Sequence, residues 1–124
     1  MNHDFDRSER VGDTLLRELA LLIQRELRDP RLGMVNVTAV KVTRDLKHAR
    51  VFVTFVEAAG DQKILEQIEV LNRASGFLRA ALGKHMSMRV IPKLHFEFDE
   101  SILYGARMTK LIEEVRSRET PQDD

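Results

Sequence analysis

The sequence predicts a single α+β domain in which a small three-stranded sheet carries its helices on one face. Three observations lead to this prediction. The chain has 124 residues, the length of one ordinary domain, and 43% of them are apolar, enough to fill one core. Segments of helical periodicity and of strand-like alternation follow one another in the order helix, strand, strand, broken helix, strand, helix.

The first helix is predicted to begin at Ser8, a residue type that favours the N-cap. It is predicted to end at Asp29-Pro30, because proline disfavours helical geometry in the residue before it. Between these limits apolar side chains recur every four residues and so share one face of the helix. They are Val11, Leu15, Leu19, Ile23 and Leu27.

Two strands joined by a hairpin are predicted next. Residues 35–42 alternate between apolar and polar side chains, but the phase slips near Ala39 or Val40, which indicates a β-bulge. Residues 49–56 form the second run, with Ala49, Val51 and Val53 on one face. Residues 44–48 have a length suited to the connecting loop.

A broken helix, a third strand and a last helix complete the predicted domain. Asp61 is placed to cap the second helix, and Gly76 lies inside its apolar pattern, so we expect a break at Ala74-Ser75-Gly76. Extended segments are predicted at residues 88–91 and 94–98 around Pro92. The last helix spans residues 101–117. The domain therefore covers residues 1–117, and residues 118–124 form a flexible tail.

Composition excludes several classes of protein. The chain has no cysteine, which excludes a disulfide framework, a thiolate zinc site and a cysteine nucleophile. It has no Walker loop, dinucleotide-binding fingerprint or nucleophile elbow. No segment approaches the length of an apolar membrane span, and no signal-peptide core follows Met1. We therefore expect a cytoplasmic, monomeric protein without cofactor or metal, and not an enzyme.

One group of side chains keeps an enzymatic alternative open. His95, Glu97 and Asp99 alternate along one strand face, a spacing that would suit acid–base chemistry or an oxygen–nitrogen metal site. The simpler interpretation, which we favour, is a solvated strand face that ends in a helix cap.

The charge distribution suggests a nucleic-acid partner, although the formal net charge is zero. Residues 70–96 contain no Asp or Glu, and an acid-rich segment follows them. A local positive field of this kind attracts phosphate even when the total charge is neutral. The candidate phosphate contacts are Arg73, Arg79, Lys84, Arg89 and Lys93.

The helix break supplies a second candidate feature. A helix that starts after Gly76 would present free backbone N–H groups, with the Ser75 hydroxyl as an adjacent donor. Arg10, Arg17 and Arg28 on the outer face of the first helix form a secondary basic strip. Composition alone equally allows ordinary solvated faces with a helix-breaking glycine.

The chain resembles the ribosome-binding factor A family from about Arg7 to Val115. Four strings in the same order and at similar spacing carry the resemblance: residues 26–31 (ELRDPR), 40–49 (VKVTRDLKHA), 74–79 (ASGFLR) and 92–101 (PKLHFEFDES). The family is a group of bacterial assembly factors of the small ribosomal subunit.

The resemblance implies a KH-like domain of the second topological type. It also implies binding to the free small (30S) subunit and its 16S ribosomal RNA, a role in late maturation including 5′-end processing, and support of growth in the cold. KH domains generally clamp nucleic acid with a GXXG loop, which this sequence lacks; Ala74-Ser75-Gly76 stands in its place. The alternative is a protein–protein module of the same fold that binds a ribosomal protein or another assembly factor.

Overall fold

The computed structural model describes residues 3–56, 60–101 and 111–116, with side chains from residue 6 onward. Its elements confirm the predicted α+β order: α1 (His3–Glu26), β1 (Val35–Val42), β2 (His48–Phe55), α2 (Asp61–Arg73), α3 (Ser75–His85) and β3 (Lys93–Phe98). Residues 111–116 are also helical. The rest of the predicted last helix beyond Ser101 and the tail at 118–124 lie outside the described residues, so the division at residue 117 stays a prediction.

The sheet has the order β1-β2-β3, with β2 at its centre. β1 pairs with β2 in antiparallel fashion, whereas β3 runs parallel to β2. Ala49, Val51 and Val53 on one face of β2 are fully buried under the helices. Arg50 and Phe52 alternate with them on the opposite face, which we call the open face because no helix of the described residues buries it.

The predicted bulge is present one residue earlier than the phase slip suggests. The pairing of β1 with β2 shifts between Val37 and Ala39, which leaves Thr38 as the extra residue. The Thr38 hydroxyl donates to the Asp99 carboxylate at 2.5 Å, and its oxygen lies 3.2 Å from the carbonyl oxygen of Phe52. Because of this extra residue, the apolar side chains before the bulge and those after it face the same, buried side of the sheet.

The helix α1 crosses β1 at unusually close range, and Gly12 makes this possible. A Cβ atom at position 12 would lie 2.8 Å from the carbonyl oxygen of Val40, closer than any ordinary contact. Leu15 and Leu19, on the same face of α1, are fully buried in the core. The glycine therefore sets how deeply the apolar face of α1 reaches into the sheet.

The outer edge of β3 is held by a side chain in the part of the chain that the structure describes. The amide nitrogen of Asn72 donates to the carbonyl of Phe96 at 3.1 Å, and its oxygen accepts from the Phe96 N–H at 2.8 Å. This bidentate contact satisfies two backbone groups that β2 does not reach. It fastens the last turn of α2 to the sheet next to the buried Phe96 ring.

The helix break lies at Ala74, whose φ of −84° and ψ of −2° interrupt the helical path. The Ala74 N–H bonds the carbonyls of Val70 and Leu71 at 3.1 Å each. Gly76 is an ordinary residue of α3, and a Cβ atom at this position would have open space around it. The expectation that glycine causes the break is therefore wrong.

Two predicted helix starts are also wrong. α1 begins at His3 rather than Ser8, and Ser8 is buried inside the helix, so packing and not capping decides its place. At α2 the N-cap is Gly60 with φ 90°, a conformation that favours glycine, and it makes no side-chain capping bond. Asp61 is instead the first helical residue, where its charge complements the helix dipole.

Residues 88–91 do not form the predicted extended run and lie outside the sheet. Ile91 and Pro92 are buried in the core, and the Ile91 carbonyl accepts from the Nε of Arg79 at 2.9 Å. The backbone of this segment is thus bound by α3 instead of by a neighbouring strand.

We predict opposite effects for two glycine-to-alanine substitutions. Gly76→Ala stabilises the protein by up to about 1 kcal/mol, the usual gain of alanine over glycine in a helix. Gly12→Ala lowers the free energy of unfolding because its methyl group meets the Val40 carbonyl. Urea denaturation of both variants checks this, and a stabilised Gly12→Ala protein would contradict the close contact.

We also predict that Asn72→Ala lowers the free energy of unfolding by about 1–3 kcal/mol, since it leaves two backbone groups of Phe96 without partners. The control is Asn36→Ala, at an exposed position of β1, which should change stability by no more than about 0.5 kcal/mol. Equal effects of the two substitutions in urea denaturation would refute the anchoring role of Asn72.

Candidate nucleic-acid interface

The five predicted phosphate contacts do not share one surface. Arg73 closes α2, whereas Lys84 lies in the last turn of α3. The helix break at Ala74 and nearly the whole of α3 lie between them. Arg89 and Lys93 lie beyond the far end of α3, in the following loop and at the start of β3. The set is therefore divided between the helix break and the opposite end of the domain.

At the end of the domain that contains the helix break, acidic side chains largely neutralise the basic ones. Arg73 forms an ion pair with Glu69 at 2.6 Å. Nearby, the side chain and backbone N–H of Arg31 donate to the Asp29 carboxylate and lower its pKa to about 2. Because each of these cations has an acidic partner, this end offers little net attraction to phosphate.

Two further residues of the predicted site have structural partners. Arg79 is half-buried, and its Nε holds the Ile91 carbonyl. The Ser75 hydroxyl donates to the carbonyl of Asn72 at 2.7 Å, so it is directed back into the helix break. The expectation that Ser75 serves as a donor to a bound anion is not supported by this geometry.

The opposite end of the domain gathers basic residues from three segments. Arg7 of α1, Lys47 of the β1–β2 hairpin and Arg89 line one groove, and the backbone N–H of Lys93 donates to the Lys47 carbonyl at 2.9 Å. We call Arg7, Lys47, Arg89 and Lys93 the basic cluster. All four are exposed, and no ion pair within the described part of the chain engages them.

The hairpin beside this cluster is rigidly built. Leu46 adopts φ 61°, and its N–H donates to the Thr43 carbonyl at 2.9 Å. The Asp45 carboxylate accepts from the Thr43 hydroxyl and from the Lys47 N–H, which lowers its pKa. These bonds fix the backbone at Lys47 and direct its side chain into solvent, at a fixed place beside Lys93.

Only part of the secondary basic strip lies near the basic cluster. Arg10 lines a depression with His85 and Met88, close to the basic cluster. Arg17 and Arg28 are exposed but lie progressively farther along the 24-residue helix and beyond its end. At 1.5 Å per residue, α1 extends about 24 Å from Arg10 to its end at Glu26, and Arg28 follows that end.

The open face of the sheet does not contain a catalytic set. Glu97 accepts two hydrogen bonds from Arg50, at 2.6 and 2.8 Å, and these lower the Glu97 pKa. Asp99 accepts from Thr38 and from the Ser101 N–H, the predicted cap. His95 contacts His48 instead. The three side chains thus have three separate partners, and the described residues contain no cluster of three or more potential metal ligands.

The Phe52 ring on this face is also covered by basic side chains. Arg50 and Lys41 lie over Phe52, with 5.0 and 6.0 Å between the charged atoms and the ring centroid. An unpaired base would have to displace a cation to stack there. The Phe52 ring is therefore not a free stacking platform for a base.

Arg7 and Lys47 were missed by the sequence analysis. Arg7 follows Asp6, Lys47 lies two residues after Asp45, and both are outside the acid-free stretch, so local composition does not single them out. Only the hairpin register and the packing of α1 bring them beside Arg89 and Lys93. The Arg44-Asp45-Leu46-Lys47 loop, predicted as a hairpin, was the available signal.

Comparisons with known proteins identify the family to which the chain is similar. A family model described as ribosome-binding factor A matches residues 7–112. A ribosome-binding factor A of Stutzerimonas stutzeri is 46% identical over 125 residues, covering 100% of this chain and 97% of that protein. The crystal structure of ribosome-binding factor A from Thermus thermophilus has a TM-score of 0.62 and 32% identity, covering 73% of this chain and 93% of that one.

A second Thermus thermophilus structure is described in a complex. It is a homology model of ribosome-binding factor A fitted into a cryo-electron microscopy map of a 30S complex, with a TM-score of 0.62 and 31% identity. It covers 75% of this chain and 96% of that one. Separately, no helix in the described part of this chain is long and apolar enough to cross a membrane.

The Asp29–Arg31 pair yields a prediction about pH. The Asp29 pKa of about 2 lies below its usual 3.8, so any stability from this pair is present above pH 3.8 and is lost as pH falls towards 2. NMR titration of the Asp29 carboxyl should give a midpoint near 2. Arg31→Gln should raise the midpoint, though not fully, because the residue 31 N–H still donates. An unchanged midpoint in the variant would rule out the pairing.

Proposed function

The chain belongs to the ribosome-binding factor A family, and on this basis we propose that it binds the free small ribosomal subunit through 16S ribosomal RNA. The fitted 30S complex of the Thermus relative supports the choice of partner. The basic cluster supports the choice of RNA, because exposed Lys and Arg side chains that form no ion pair among the described residues are suited to phosphate contacts.

The basic cluster and Lys84 carry the proposed phosphate contacts. Of the five contacts predicted from sequence, Lys84, Arg89 and Lys93 keep this role. Arg79 mainly donates a hydrogen bond to the Ile91 carbonyl. Arg73 would have to break its ion pair with Glu69 before it could contact a phosphate. The site therefore joins the hairpin, the start of α1 and the segment before β3 into one surface.

We further propose that binding supports late maturation of the subunit, including processing of the 5′ end of its RNA, and growth in the cold. The protein would act in the cytoplasm, where ribosomes assemble, and by binding rather than by catalysis. A bound protein can stabilise one conformation of an RNA that otherwise samples several. This stabilisation is needed more at low temperature, because misfolded RNA then rearranges slowly.

The proposal predicts a specific effect of charge reversal. The triple variant Lys47→Glu/Arg89→Glu/Lys93→Glu should lose affinity for free small subunits, and its binding should depend less steeply on salt, by about one unit of slope per lost phosphate contact. Sedimentation with purified free small subunits at several salt concentrations measures both quantities.

The matched control is Arg17→Glu/Arg25→Glu/Arg28→Glu, which changes the net charge equally at exposed positions on or just beyond α1. Equal losses in the two variants would reject the assignment of the site. Retention of a protein partner after RNase treatment, with no binding to subunits, would favour the protein–protein module instead.

A further inference from the structure

His48 and His95 form a close pair on the open face of the sheet, although 47 positions separate them in the chain. His48 begins β2 and His95 lies within the parallel neighbour β3. The Nδ1 of His48 and the Nε2 of His95 are 3.1 Å apart, and the ring centroids are 5.3 Å apart. Both side chains are exposed, so a solvent ion reaches both nitrogens.

The separation of these nitrogens matches the geometry of a chelated metal ion. Zinc binds imidazole nitrogen at about 2.0–2.1 Å, so two ligands in a tetrahedral site lie about 3.3 Å apart. In the hydrogen-bonded pair one ring donates its proton and the other accepts it. The donor ring has only to change tautomer and both rings to turn slightly for the two lone pairs to converge.

We propose that His48 and His95 bind one divalent transition-metal ion of the zinc type. Imidazole favours such ions over magnesium or calcium, which prefer oxygen ligands. Glu97 does not serve as a third ligand, because Arg50 engages both its oxygens. Two positions on the metal therefore remain open for water or another small ligand.

The charge near the two histidines predicts a modest affinity for the metal ion. Lys93 is paired in register with His48, and its positive charge opposes a second cation nearby. This proposal does not rest on the proposed RNA-binding role, since two imidazoles can bind a metal ion without the ribosome.

The four histidines of the chain allow a clean test with zinc chloride alone. Calorimetric titration of the full chain should show one saturable site. His48→Gln and His95→Gln should each weaken binding by at least the roughly 10–100-fold that loss of an outer-shell partner costs. The control His3→Gln/His85→Gln removes the two other histidines and should leave affinity unchanged.

A second readout separates the site from effects on folding. In the NMR spectrum the imidazole signals of His48 and His95 should shift together at one equivalent of zinc, while the signals of His85 stay in place. Absence of a saturable site in the wild-type chain would overturn the proposal. So would zinc binding that survives in both single variants or is lost in the control.

Discussion

The outer edge of β3 is the constraint on which the arrangement of this domain depends. Among the described strands β3 pairs with β2 alone, so its other side needs partners for its backbone groups. Asn72 supplies them at Phe96, and Arg79 holds the Ile91 carbonyl just before the strand begins. One polar side chain from α2 and one from α3 thus position β3 and the segment that leads into it.

These two contacts have a functional consequence at the far end of the strand. Because β3 begins beside the hairpin, the Lys93 N–H reaches the Lys47 carbonyl and brings two basic segments together. The packing of α1 on β1, close enough to exclude a side chain at Gly12, carries Arg7 to the same place. A surface suited to phosphate therefore arises from three segments that are distant in sequence.

Periodicity predicted the element order and the buried face of each strand, because these follow from which side chains avoid water. The break between α2 and α3 was expected from Gly76, but the backbone interruption lies at Ala74. The sequence patterns misplaced the starts of α1 and α2, since a buried Ser8 and a positive φ at Gly60 depend on packing and backbone geometry. The acid-free stretch identified part of the basic cluster. It also included Arg73 and Arg79, because composition does not reveal that Glu69 and Ile91 engage them.

We propose that the hairpin end of the domain, and not the helix break, faces the RNA. Hydrogen–deuterium exchange of the protein, free and bound to free small subunits, distinguishes the two surfaces. We expect binding to slow exchange in residues 43–48 and 86–93. Slowed exchange confined to residues 69–77 around the helix break would contradict it.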